Sequence, residues 1–154
     1  MIQRIQTLYL LGAAILLVFL FFIPFSSFTS DNEQQLFVLN VFGLFDSTKI
    51  ENPVFRVWPL FLLLSITLLF TLISIFLYKK RLSQLRLCIV NIVLNAGILG
   101  LMYYFVHSID KKLEMEPSYS LTFFFPVLSV LLIYLAIKGI TKDEKLIRSL
   151  DRLR

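Results

Sequence analysis

Cysteine and histidine are almost missing from this chain, with one of each, Cys88 and His107, among 154 residues. A lone cysteine excludes an intrachain disulfide and leaves no thiolate set for a zinc or iron–sulfur centre. The single histidine is followed directly by Ser108, and adjacent residues on a helix point apart, so they form no base–nucleophile pair. The patterns G-x-x-x-x-G-K-[ST], G-x-S-x-G and H-E-x-x-H do not occur. No enzymatic activity and no cofactor are expected. Charge is missing too, over four long stretches: residues 5–30, 57–78, 87–106 and 117–137 hold no Asp, Glu, Lys, Arg or His. Proton-coupled transporters, pumps and voltage sensors depend on such groups within the membrane, which argues against them here.

What the chain has instead is apolar bulk. Hydrophobic residues make up 58%, Phe alone contributes sixteen, and mean hydropathy is +0.82. A hydrocarbon core roughly 30 Å thick takes about 20 apolar residues at 1.5 Å rise each, and all four stretches meet that length. The expectation is one all-α membrane domain, a four-transmembrane-helix bundle with spans near 5–25, 58–78, 87–107 and 119–138. Outer loops 26–57 and 108–118, a cytoplasmic loop 79–86 and a cytoplasmic tail 139–154 would complete it.

The net charge of +5 divides unevenly. The N-terminus, the 79–86 loop and the tail carry eleven Lys/Arg against three acids, while the two remaining loops carry four against seven. The positive-inside rule then places both termini in the cytoplasm. This asymmetry accounts for the basicity without nucleic acid. Retention of the first span is expected over signal-peptide cleavage, because its apolar run is long and no A-x-A-like site follows.

Residues 36–45 (LFVLNVFGLF) are too short and Gly-broken for a span, and their β-branched and aromatic content suggests a strand. Asp46-Ser47-Thr48 offers turn chemistry, and residues 54–58 would return as a second strand. A small outer β-hairpin or sheet is expected, resting on other structure because an isolated hairpin is marginal. In the tail, Thr141-Lys142-Asp143-Glu144 matches a capping box. Leu146, Ile147, Leu150 and Leu153 then face Lys142, Lys145, Arg148 and Arg152 across a short amphipathic C-terminal helix. Lying on the anionic inner leaflet is its favoured role, and docking onto a cytoplasmic protein the sharper one.

Within the spans, Thr67, Thr71 and Ser74 share one helix face, with hydroxyls free to bond back to their own helix or to a neighbour. Asn91 and Asn95 stand one turn apart beside Cys88. Amides in hydrocarbon must be bonded, so this face should turn into the bundle. Interhelical contact is the favoured use of Asn91, Asn95, Thr67 and Thr71, and a headgroup- or quinone-binding cleft the alternative. Gly12, Ala13 and Ala14 form a patch for close helix approach, and Pro126 is expected to kink the fourth helix.

The opening MIQRIQTLYL and closing KLIRSLDRLR are distinctive. With four spans between them, the whole chain resembles a family of small Bacteroidota inner-membrane proteins classed as a domain of unknown function. That resemblance implies topology, not chemistry. In architecture alone, Val41-Phe42-Gly43-Leu44-Phe45 is similar to the first-loop Gly-Leu-Trp motif of claudin-type proteins, with Phe45 for the Trp and without the loop cysteines.

Two functions fit these readings. The first is a non-enzymatic structural or accessory subunit of an envelope complex, reached through Phe37, Val41, Phe42, Leu44 and Phe45 or through the basic tail. The second is a lipid- or quinone-binding module, or a small transporter of a hydrophobic solute, using a cleft at Asn91, Asn95 and Thr71.

Overall fold

The computed structural model describes residues 3–29, 36–46, 56–113 and 116–151. Long apolar runs without an interior proline favour the α-helix, which satisfies its own backbone polar groups. Four helices result: α1 (Gln3–Phe22), α2 (Trp58–Phe76), α3 (Arg81–Leu113) and α4 (Phe125–Asp151). All four are long and apolar enough to cross a bilayer. Each packs on its neighbours in sequence, and α4 returns to α1, closing a four-membered ring whose most extensive seam is α1–α4. Gly12 permits that seam, since a Cβ there would lie 3.3 Å from Leu132 Cδ1.

Three of the described prolines stand at helix boundaries. Pro24 follows the end of α1, Pro59 is the second residue of α2, and Pro126 is the second residue of α4. A first-turn proline loses no intrahelical bond, because its amide would have no partner there. The interior proline expected to kink the fourth helix is thus a starting proline, preceded by a 3₁₀ turn over Leu121–Phe124.

The helices also consume segments read as loops. Only a 3₁₀ turn over Leu77–Lys79 and then Lys80 separate α2 from α3, because residues 81–86 hold strong helix formers and no breaker. At its far end α3 runs on to Leu113, with Val106 and Ile109 buried. The separate C-terminal helix is likewise corrected. α4 passes through Thr141 unbroken, and Thr141 Oγ1 donates back to the Ile137 carbonyl at 2.9 Å instead of capping a new helix. A cap needs a non-helical residue, and Ile140 and Asp143 are instead buried. Backbone helix extends to Asp151, but the side chains of Lys145, Leu146, Ile147, Arg148 and Leu150 lie outside the described ones, as do Arg152 and Leu153 altogether.

At one end of the ring sits an antiparallel sheet of β1 (Ser26–Thr29), β2 (Leu36–Asn40), β3 (Gly43–Asp46) and β4 (Glu116–Tyr119), ordered β3-β2-β1-β4. Residues 36–45 therefore form a hairpin, not one strand, turning at Val41-Phe42 with Leu39 opposite Leu44. Gly43 adopts φ 153°, a conformation essentially restricted to glycine. The return strand expected at 54–58 does not form where it is described: Val57 leads into α2 and Trp58 is its first residue, while Val54 and Phe55 lie outside the described residues. Ser26 pairs with Leu39 on one side and Tyr119 on the other, so the second outer loop supplies a strand. Phe25, Phe28, Leu39, Val41 and Leu44 are fully buried in one cluster with Leu17, Leu20, Leu60, Met102 and Val106 of the helix ends. The sheet closes the bundle like a lid packed onto its core.

Candidate functional site

The apolar interior is split in two. One cluster joins the sheet to Leu17, Leu20, Leu60, Leu64, Ile98 and Met102. The other, toward the opposite end, holds Leu10, Ala13, Cys88, Ile133, Ala136 and Ile140. Between them along the helices come Ala14, then Thr67 and Thr71, then Asn91 and Asn95, then Ser129, all buried. Small or polar side chains thus form a layer across the middle of the ring. The surface is the reverse: Leu8, Leu11, Ile15, Leu62, Leu69, Val93, Leu131 and Leu135 are exposed.

Bonding within this layer is unequal. Thr67 Oγ1 donates to the Leu63 carbonyl at 2.7 Å and Thr71 Oγ1 to the Thr67 carbonyl at 2.8 Å, both within α2. Asn95 Nδ2 donates to the Asn91 carbonyl at 2.8 Å, within α3. Asn91 alone of the four reaches across. With its amide oriented as the surrounding donors and acceptors require, Nδ2 donates to the Thr67 carbonyl and Oδ1 accepts from the Thr71 amide, each at 3.2 Å. It clips onto one backbone turn of α2. Asn95 Oδ1 and Ser129 Oγ are buried without a partner. Nearer the second cluster, Ser74 Oγ and Cys88 Sγ lie 3.3 Å apart.

A second polar contact ties the ring at the end away from the sheet. Gln6 Nε2 donates to Asp143 Oδ2 at 2.6 Å, joining α1 to α4 across 137 positions, with both side chains buried. Gly139 makes room for it: a Cβ there would come within 2.9 Å of Gln6 Cγ. This clasp was not foreseen, because Asp143 reads as part of a cap when α4 is cut at Thr141.

At the sheet end, a cavity of about 340 Å³ opens between the hairpin turn and the start of α2, lined by Val41, Phe42, Arg56, Trp58 and Phe61. Phe61 is its hub, with ring centroids 5.6 Å from Phe42, 5.9 Å from Phe21 and 6.5 Å from Trp58. Arg56, Trp58 and Phe42 are exposed. Among the described residues Arg56 has no acidic partner, and the first turn of α2 carries neither an acidic residue nor a side-chain cap. In sequence Arg56-Val57-Trp58 falls inside the stretch expected as a return strand, which hides this site. Another cavity, of about 440 Å³, lies between α1 and α2 against Leu11, Ala14, Ile15, Leu68 and Leu72, without a polar lining.

The other anticipated contacts are dispersed. Phe42 is exposed, Phe37 and Phe45 are partly buried, and Val41 and Leu44 are fully buried and face the core. Lys142 is exposed. His107 stacks on Tyr103 at 6.1 Å and lies 3.9 Å from Asp110 at the surface.

The family described as a domain of unknown function, DUF4293, matches residues 2–153, and the chain belongs to it. No curated protein matches the chain.

Proposed function

We propose that this DUF4293 member is a multi-pass protein of the bacterial inner membrane, with both termini in the cytoplasm. It acts there without catalysis, as a structural or accessory subunit of an envelope complex. The observation that carries the reading is the inverted distribution of polarity. Only 28–33% of each apolar helical stretch is buried inside the ring, the rest being partly or well exposed, while Thr67, Thr71, Asn91, Asn95 and Ser129 are buried. In water the outer surface would far exceed the few hundred Å² of contiguous apolar patch that soluble monomers carry. In lipid it is the expected surface, and the inward polar groups are the expected packing contacts. Exposed Trp58, Tyr103 and Tyr104 toward the sheet end and Tyr78 and Tyr134 toward the other suit two interfacial belts. Lys80, Arg86, Lys138 and Lys142 gather at the end away from the sheet, which supports placing that end in the cytoplasm.

The accessory role rests on where side chains remain free to meet a partner. The mid-bundle polar groups are enclosed by the protein's own helices, which disfavours a cleft at Asn91, Asn95 and Thr71. The sheet end offers exposed Phe42 and strand β3, which among the described residues pairs only with β2. A sheet-edge strand is a surface on which another chain can add. Photo-crosslinkers at Phe42 and Lys142 in native membranes should each trap one discrete protein adduct. Recovery of an adduct-free monomer at both positions rejects the subunit reading. A fluorescent protein fused after Arg154 should fluoresce and an alkaline phosphatase fused there should be inactive, and the reverse pair of results rejects the orientation.

A further inference from the structure

We infer that the Arg56 cavity is a binding site for an anionic phospholipid of the leaflet on the sheet side. The headgroup phosphate sits on the Arg56 guanidinium, and the upper part of one acyl chain lies along Trp58, Phe61 and Phe42. The inference rests on the membrane placement proposed above and goes beyond the accessory role. Three observations carry it. The cavity, at about 340 Å³, falls at the small end of the roughly 300–1,000 Å³ usual for ligand pockets, suited to a headgroup and part of a chain. Its walls are aromatic and aliphatic, whereas its rim holds one exposed cation without an acidic partner among the described residues. Its position at the first turn of α2, beside an exposed Trp, puts it at headgroup depth. The guanidinium presents a planar fork that meets phosphate oxygens in pairs, which an ammonium does not. The uncapped α2 N-terminus, free of acidic residues in its first turn, adds field of the same sign.

Trp58 is the only tryptophan, so its fluorescence reports on this site alone. The full chain is placed in zwitterionic nanodiscs containing an equal mole fraction of either brominated phosphatidylglycerol or brominated phosphatidylcholine. Quenching should correspond to about fivefold enrichment of the anionic lipid, the factor one cation supplies near an anionic lipid surface. Arg56→Gln should reduce this to parity, Arg56→Lys should keep part of it, and Lys111→Gln, on the same end, should leave it intact. Equal quenching by both lipids in the wild type overturns the inference, as does a preference that survives Arg56→Gln or disappears equally in Lys111→Gln. Loss of the preference on adding soluble glycerol phosphate assigns the site to a free phosphate and overturns the lipid assignment. If no brominated lipid quenches Trp58 at all, the membrane placement itself has failed.

Discussion

Asn91 and Asn95 are both fully buried asparagines on α3, yet replacing each by leucine should change stability in opposite directions. Asn91 makes two bonds to the α2 backbone, at 3.2 Å each. Interhelical hydrogen bonds in membranes average about 0.6 kcal/mol and reach about 1.7, so Asn91→Leu should cost about 1–3 kcal/mol. Asn95 makes one bond inside its own helix and leaves Oδ1 without a partner. A buried, unpaired polar atom carries a desolvation penalty of about 1–3 kcal/mol. Removing it offsets the loss of the local bond, and Asn95→Leu should be neutral or stabilising by up to about 2 kcal/mol.

Leucine keeps the branching of asparagine but is bulkier, and overpacking destabilises by about 1–3 kcal/mol. The alanine pair controls for this. Asn91→Ala and Asn95→Ala leave comparable cavities, so the difference between the two sites should persist in the alanine series. The assay is reversible unfolding of the purified protein in mixed micelles, titrated with a denaturing detergent. If Asn95→Leu destabilises as much as Asn91→Leu, the reasoning is refuted, because Asn95 Oδ1 must then be engaged by something that its removal disrupts.

Three further predictions concern glycines. Gly139→Ala should push Gln6 off Asp143 and cost about 1–2 kcal/mol, near the range for a hydrogen bond to a charged group; in a Gln6→Ala background that cost should largely disappear, as a double-mutant cycle would show. Gly43→Ala forces a Cβ into a glycine-only backbone region and should cost about 1–3 kcal/mol, read as faster amide exchange in β2 and β3. Gly100→Ala meets nothing within 4 Å and should be neutral or stabilising by up to about 1 kcal/mol through helix propensity, whereas a larger side chain at Gly12, 3.3 Å from Leu132 Cδ1, should lower the unfolding midpoint by separating α1 from α4.

How much of this was legible varies with how local each cause is. The four helices could be read because charge-free length is a local property. Strands β1 and β4 could not, since four residues such as Ser26–Thr29 carry too little pattern, and what makes them strands is pairing with segments far along the chain. Ser26 Oγ, for instance, donates to the Ser118 carbonyl, 92 positions away. The Gln6–Asp143 clasp was hidden for the same reason. Asn91 shows an intermediate case. Its chemistry demanded a partner in the interior, but nothing in the sequence told that the partner would be backbone of α2. Thr141 shows a local signal overruled, because a capping box acts only where the helix before it stops, and α4 does not stop.

The sheet has an energetic consequence that the helices do not share. An isolated β2–β3 hairpin would be marginal, but here β1 and β4 extend it and Phe28 is fully buried among sheet and helix residues. Phe28→Ala should therefore cost about 3–5 kcal/mol at that junction. The helices keep their hydrogen bonds within themselves, and in lipid their amides have no water to exchange with. Loss of the junction should thus release the sheet and not the ring. Hydrogen exchange in nanodiscs should show protection falling in 26–29, 36–46 and 116–119 while the interiors of α1 to α4 stay protected. If helix interiors lose protection in step with the strands, sheet and ring form a single cooperative unit, and the mid-bundle polar layer is not holding the helices together by itself.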